Sequence, residues 1–139
     1  MTIESVRVST ERSHQGSIVA VGRLLRPHQW IKNLLVLAAP LFAARLFEPA
    51  VLGRTLVALV AFCLVSSAGY AFNDVRDRGT DRLHPVKSRR PVASGAVSPR
   101  AATTLAVLLA VVAGLLGLLA GLGVMVCVLA YIAIMVPYS

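Results

Sequence analysis

The aspartates of this sequence are concentrated in one short segment. All three of them, Asp74, Asp77 and Asp81, fall within eight residues. If the segment is helical, a rotation of 100° per residue puts Asp77 about 60° and Asp81 about 20° from Asp74, and Asn73 lies at the edge of the same face. Carboxylates this close repel one another unless a cation lies among them, and Mg²⁺ takes one or two carboxylates together with diphosphate oxygens. The spacing therefore predicts a Mg²⁺-diphosphate site, and its candidate ligands are Asn73, Asp74, Asp77 and Asp81.

Fixed positive charges follow the aspartates in the same segment. An Arg guanidinium binds phosphate oxygens as a bidentate fork, and a Lys ammonium binds them as a point charge. We therefore predict that phosphate groups of a substrate contact Lys87, Arg89 and Arg90. Two alternatives stay open, because cations beside a membrane span also arise from topology, and Asp74 with Arg78 at i, i+4 would form a solvated helix face that binds nothing.

A second polar segment precedes the first apolar stretch. Pro27 stands where a helix can begin, and polar residues follow it as far as Asn33. Lys32 and Asn33 would face the same water layer as the aspartates, so we predict that they bind substrate. Trp30 is interpreted as a residue of the membrane interface and Arg26 as a positive charge on the cytoplasmic side, although polar groups at span ends often have no further role.

The elements that must position these residues are predicted from the apolar composition. Apolar residues make up 57% of the chain and charged residues 14%, which excludes an ordinary soluble domain. Windows with little or no charge predict about four membrane spans, at 31–47, 55–73 and two within 101–139 that meet near 121–123. Backbone groups in hydrocarbon must be satisfied within their own segment, so the predicted fold class is an all-α polytopic transmembrane helix bundle. Gly117 and Gly121 form a small-xxx-small pair, for which close helix packing and simple chain reversal are both open.

Orientation is predicted from the positive charges. Five precede the first span, two lie in the 45–54 connection and seven lie between residues 74 and 100. The positive-inside rule then places the N-terminus and the 73–100 loop in the cytoplasm. Residues 1–22 are predicted to be a disordered cytoplasmic leader, and residues 23–139 to be the membrane domain. The net charge of +8 requires no nucleic-acid partner, since anionic lipid headgroups or a phosphorylated substrate account for its sign.

These motifs resemble a known family. The pattern Asn73-Asp74-x-x-Asp77-x-x-x-Asp81 resembles the first aspartate-rich motif of the UbiA-type intramembrane prenyltransferase superfamily. The segments 26–43 and 81–95 are similar to one branch of it, which transfers 5-phosphoribose to a polyprenyl phosphate. The resemblance covers about residues 23–139.

The resemblance implies a Mg²⁺-dependent transferase of the plasma membrane. It would move 5-phosphoribose from phosphoribosyl diphosphate to decaprenyl phosphate, release diphosphate at the cytoplasmic face, and serve arabinan (arabinogalactan) precursor synthesis for the cell wall. The four residues of the motif would hold the Mg²⁺-diphosphate. A phosphate monoester is already an anionic nucleophile, so such a site needs leaving-group stabilisation and positioning more than a general base.

The sequence departs from the family in one respect and leaves other functions open. The family has about nine spans and a second aspartate-rich motif, so this chain is expected to be its N-terminal half. Prenyl transfer from a polyprenyl diphosphate to an aromatic acceptor would use the same motif. A non-catalytic, truncated membrane protein is the third possibility, and a homo-oligomer is also left open.

Overall fold

Every regular element that the structure describes is helical, as expected for an all-α protein. The computed structural model describes residues 18–138, and the side chains of residues 18–135. In chain order the elements are α1 (residues 18–25), a first 3₁₀ helix (Pro27–Leu37), α2 (Ala38–Phe42), α3 (Pro49–Arg76), α4 (Arg78–Leu83), a second 3₁₀ helix (Lys87–Arg89), α5 (Pro99–Ala120) and α6 (Leu122–Tyr138).

Two of these helices are long and apolar enough to cross a membrane. α3 has 28 residues and α5 has 22, and they correspond to the spans predicted at 55–73 and in the first part of 101–139. Each begins at a proline, whose missing N–H would have no partner in the first turn of a helix. Ser98 caps α5, where its Oγ accepts a hydrogen bond from the N–H of Ala101 at 3.1 Å. α6 is a shorter apolar helix of 17 residues.

The segment 31–47, predicted to be a membrane span, is helical in part but does not form one continuous α-helix. An 11-residue 3₁₀ helix leads into the five-residue α2, and regular structure ends at Phe42. In a 3₁₀ helix the side chains at i and i+3 are eclipsed, so Trp30 and Asn33 point the same way. Both donate hydrogen bonds to serines of α3, and these contacts favour the tighter winding.

The packed interior contains mainly small apolar side chains. One cluster, near the C-terminal end of α3, joins α1 to Ala71, to Val92 of the loop before α5 and to Ala102. A second cluster lies further along the helices and joins Ala61 and Val65 of α3 to the helices α5 and α6. Small side chains let α3 and α5 lie close together, while larger apolar groups on the outer faces of α5 and α6 are left exposed.

The turn between α5 and α6 lies where the glycines predict it. α5 ends at Ala120 and α6 begins at Leu122, with Gly121 between them at φ +138°, a conformation that favours glycine. A Cβ on Gly117 would lie 3.2 Å from Cα of Met125, so Gly117 is the point of close helix approach. Of the glycine pair, Gly117 serves packing and Gly121 serves chain reversal.

The predicted disordered leader 1–22 extends too far along the chain. Residues 18–25 form α1, because Ala20 and Leu24, one helical turn apart, are both buried in the first cluster. Residues 1–17 lie outside the described part of the chain.

Candidate active site

The segment that carries the aspartates is a helix with one interruption. α3 ends at Arg76, Asp77 is a turn residue and α4 begins at Arg78. The helical hydrogen-bond pattern nevertheless continues, because Asp77 N–H donates to the Asn73 carbonyl and Asp81 N–H to the Asp77 carbonyl, each at 2.8 Å. Asp81 is therefore brought back over Asp74, as the helical rotation predicts, and both are buried. Asp77 lies on the exposed side of the turn.

Two arginines neutralise the two buried aspartates. Arg26 Nη2 lies 2.7 Å from Asp74 Oδ1, and Arg90 Nη1 lies 2.8 Å from Asp81 Oδ2. Arg90 Nη1 also lies 3.5 Å from Asp74 Oδ1, so it links the two carboxylates. We call Arg26, Asp74, Asp81 and Arg90 the charge cluster. A buried carboxylate is stable in its ionised form only when it is paired in this way.

Arg26 reaches the charge cluster through an unusual backbone conformation. Its φ of +49° and ψ of +57° turn the chain from α1 into the first 3₁₀ helix, in a region that side-chain-bearing residues seldom adopt. The guanidinium carbon lies 4.8 Å from the centre of the Tyr70 ring, a cation–π distance. Ser67 of α3 fixes the same turn, since its Oγ donates to the Leu25 carbonyl at 2.7 Å and accepts from Trp30 Nε1 at 2.9 Å.

Arg90 reaches the charge cluster from the loop between α4 and α5. The three residues after it, 91–93, are buried, so this part of the loop folds against the helices. Arg82 Nε donates to the Ala93 carbonyl at 3.1 Å, and Val97 N–H donates to the Pro91 carbonyl at 2.9 Å. These contacts hold the backbone beside Arg90 while its guanidinium keeps one side toward solvent.

The other predicted phosphate ligands of this loop lie at the surface. Lys87 and Arg89 belong to the second 3₁₀ helix and are exposed. His84 stabilises the start of that helix, because its Nδ1 accepts hydrogen bonds from the N–H groups of Val86 and Lys87 at 3.2 and 3.3 Å. Lys87 and Arg89 therefore lie on the same loop as Arg90 but do not share its contacts with the aspartates.

The predicted ligands of the first polar segment do not join the charge cluster. Lys32 is exposed. Asn33 points to the middle of α3, where its Nδ2 lies 3.4 Å from Ser66 Oγ and 3.5 Å from Cys63 Sγ. The residue of this segment that reaches the aspartates is Arg26, which sequence reasoning interprets only as a topological charge. In the sequence, the sharp turn at Arg26 is indicated only by the proline that follows it, because a proline restricts the backbone of the residue before it.

The alternative of a solvated helix face is excluded for two of the three aspartates. Asp74 and Asp81 are almost fully buried, and Asp74 pairs with Arg26 and Arg90 rather than with Arg78 at i, i+4. A solvated helix face still describes Asp77, whose side chain is exposed.

The donor set fits a Mg²⁺ ion that is shared with a phosphate ligand. Among the described residues, Asp74 Oδ2 is buried and has no hydrogen-bond partner, so one carboxylate oxygen is available. Within residues 18–138 no group of three or more His, Cys, Asp or Glu side chains could hold a metal ion alone. Mg²⁺ commonly binds through one or two carboxylates plus substrate phosphates and waters, and Asp74 and Asp81 would supply that number.

Comparisons with known proteins agree with the family that the sequence motifs indicate. The model of the UbiA prenyltransferase family matches residues 33–139. A decaprenyl-phosphate phosphoribosyltransferase of Mycobacterium tuberculosis is 47% identical over 98 residues, which cover 68% of this chain and 32% of that protein. The protein of the same name from Mycolicibacterium smegmatis is 45% identical over 122 residues, which cover 84% of this chain and 38% of that protein.

A relative with a different name is more distant. A 4-hydroxybenzoate octaprenyltransferase of Histophilus somni is 34% identical over 122 residues, which cover 83% of this chain and 43% of that protein. The chain thus spans about a third of the length of the phosphoribosyltransferases that it matches.

Proposed function

Since the chain belongs to the UbiA prenyltransferase family, we propose that its complete gene product transfers 5-phosphoribose from phosphoribosyl diphosphate to a polyprenyl phosphate. The observation that carries this proposal is the charge cluster, in which two buried aspartates lie at the end of an apolar helix. The choice of phosphoribose over prenyl transfer is supported by the higher identity to the phosphoribosyltransferases, 45–47% against 34%.

The proposed reaction exchanges one C–O bond of the ribose for another. A phosphate oxygen of the polyprenyl phosphate attacks C1 of the phosphoribosyl group, and the bond from C1 to the diphosphate breaks. The nucleophile is already an anion, so no side chain has to remove a proton from it. The work left to the protein is to hold the two substrates in line and to stabilise the negative charge of the leaving diphosphate.

The aspartates near the end of α3 and the cations of the adjoining loop would have different roles in this reaction. Asp74 and Asp81 would hold Mg²⁺, and Asn73 and Asp77 are further candidate ligands on the same segment. A Mg²⁺ ion bound there would neutralise charge on the departing diphosphate. Three cations of the adjoining loop would contact phosphate oxygens, namely Lys87, Arg89 and Arg90. The lipid tail would lie along the apolar faces of the helices.

We further propose the cellular setting. The protein is a membrane protein, and the positive-inside rule favours a cytoplasmic position for the 73–100 loop, where a water-soluble sugar diphosphate is available. A plasma-membrane location and a role in arabinan precursors of the cell wall are part of this proposal and rest on the resemblance of the sequence motifs to the phosphoribose-transferring branch of the family. Lys32 and Asn33 remain candidates for contact with a substrate.

A labelled-donor assay tests the proposed reaction. Membranes from a host that expresses the complete gene are incubated with phosphoribosyl diphosphate labelled in the ribose, decaprenyl phosphate and Mg²⁺. We expect label to appear in the organic extract, and membranes from the same host without the gene provide the control. The parallel reaction contains octaprenyl diphosphate and labelled 4-hydroxybenzoate. Product in this second reaction with none in the first would overturn the phosphoribosyl assignment and support prenyl transfer.

A further inference from the structure

Arg90 and Arg26 are bound to the aspartates in different ways. Arg26 is held at three points: by Asp74, by the Tyr70 ring and by a backbone turn that Ser67 fixes. For Arg90 the only described side-chain partners are the two carboxylates, at 2.8 and 3.5 Å. Its side chain is 25% exposed, whereas Asp74 and Asp81 are 1% and 2% exposed. Arg90 is therefore the arginine of the charge cluster for which the structure describes the fewer anchoring contacts.

The charges of the charge cluster are already balanced. Two aspartates and two arginines sum to zero, so a free Mg²⁺ ion that entered between them would leave two uncompensated positive charges in a buried site. Such a state is unfavourable at low dielectric. If the metal ion arrives with a diphosphate, the complex is anionic, and an arginine released from the carboxylates has a new partner within reach.

We propose, on the basis of the proposed function, that Arg90 is an exchanging residue that covers Asp74 and Asp81 in the ligand-free protein and moves to the diphosphate when Mg²⁺-diphosphate binds. Asp81 Oδ2 is then free for the metal ion, while Asp74 keeps Arg26 on its Oδ1 and offers its partnerless Oδ2. A guanidinium binds phosphate oxygens as well as carboxylate oxygens, so the hydrogen bond from Arg90 Nη1 to Asp81 Oδ2 would be replaced rather than lost. The site thereby favours the metal-diphosphate complex over the free metal ion.

Two binding measurements on one variant separate this role from a structural one. The complete gene product is purified in detergent as wild type and as Arg90→Gln. Mn²⁺, a paramagnetic substitute for Mg²⁺, is titrated without substrate and followed by electron paramagnetic resonance. Inorganic pyrophosphate is titrated by calorimetry in the presence of Mg²⁺. Because Arg90→Gln loses one charge-assisted contact with the diphosphate, we expect it to bind pyrophosphate about 10-fold more weakly. Because the variant also lacks the cation that covers the carboxylates, we expect it to bind Mn²⁺ alone about 10-fold more tightly.

Matched controls account for net charge and folding. Arg100→Gln removes the same charge from an exposed position at the start of α5, and both affinities should stay within about twofold of wild type. Trp30 is the single tryptophan and its indole binds Ser67, so its fluorescence reports the packing of the first 3₁₀ helix on α3. If Arg90→Gln lacks the native emission, Arg90→Met, which keeps an apolar stem of similar length, is expected to shift both affinities in the same directions.

The outcomes distinguish this inference from the function on which it rests. Opposite shifts of the two affinities support the exchange. An Mn²⁺ affinity that is unchanged or lower in Arg90→Gln, with pyrophosphate still bound by the wild type, overturns the exchange and leaves the proposed function intact. Absence of pyrophosphate binding by the wild type in the presence of Mg²⁺ overturns both.

Discussion

An arginine pairs with a carboxylate near each end of α3. The two pairs have similar N–O distances, but they differ in exposure to solvent and in the number of partners. At the N-terminal end Arg45 Nε lies 2.9 Å from Glu48 Oε1, and near the other end Arg26 Nη2 lies 2.7 Å from Asp74 Oδ1. The side chains of the first pair are 63% and 50% exposed, and those of the second are 22% and 1% exposed. The first pair is an isolated i, i+3 contact, while the second belongs to the charge cluster.

Burial and the number of partners, rather than the N–O distance, distinguish the candidate site from the exposed pair. Water screens the exposed pair, so its loss changes little. Asp74 is held by partners from two other parts of the chain, and removal of its charge leaves the partly buried Arg26 without a counter-ion. Substitutions of the same chemical type at the two ends should therefore have very different effects.

The largest effect is expected for Asp74→Asn. This change removes the charge that would hold Mg²⁺ and the leaving diphosphate, so turnover of the complete gene product should fall at least ~100-fold. Steady-state transfer of labelled phosphoribose, measured across a Mg²⁺ titration, checks this value. Native Trp30 fluorescence of the variant shows that the loss is not due to unfolding. Turnover close to that of the wild type would remove the aspartates from the proposed mechanism.

A smaller effect is expected for Asp77→Asn. Asp77 lies in the turn between α3 and α4 and is exposed, so its carboxylate is better screened than that of Asp74. We expect turnover to fall no more than about 10-fold, mainly through weaker Mg²⁺ binding. The same labelled assay measures it, and comparison with Asp74→Asn is the useful result. Equal losses in the two variants would show that burial does not rank the aspartates.

The sequence predicts those features of the site that depend on local periodicity. The rotation of a helix correctly brings Asp81 back over Asp74, seven residues away, and leaves Asp77 to one side. The uncharged windows identify α3 and α5, and the glycines locate the turn after Ala120. Each of these inferences needs only residues that are neighbours along the chain.

The features that the sequence does not predict depend on contacts between distant residues. Arg26 and Asp74 are 48 residues apart, and no local pattern pairs them. The first 3₁₀ helix is a further case, since its winding follows from the bonds that Trp30 and Asn33 make to α3. The interpretation of Trp30 as an interface residue and the prediction of one helix at 31–47 both omit these tertiary partners.

Ser67→Ala tests the support of the charge cluster rather than its chemistry. Ser67 Oγ bonds both the Leu25 carbonyl and the Trp30 indole, so the variant leaves two polar groups without their partner. We expect a loss of about 1–2 kcal/mol in the free energy of unfolding, measured in detergent by Trp30 fluorescence. Because the turn at Arg26 loosens, Mg²⁺-pyrophosphate affinity should fall only a few-fold. An unchanged unfolding free energy would show that the serine is not a structural link between the two segments.

The smallest effect is expected for Glu48→Gln, the exposed counterpart of Asp74→Asn. Both changes convert a carboxylate bound to arginine into an amide, yet here turnover should stay within about twofold of wild type. The hydrogen bond from Arg45 lowers the pKa of Glu48. Any stabilisation by this pair is therefore present at neutral pH and is lost as the pH falls through that lowered pKa. The difference in melting temperature between wild type and Glu48→Gln, measured from pH 7 downward, should shrink as the pH falls through the lowered pKa of Glu48. A strong loss of turnover in Glu48→Gln would contradict the division of α3 into one exposed and one functional end, because bond length would then be as good a guide to function as burial.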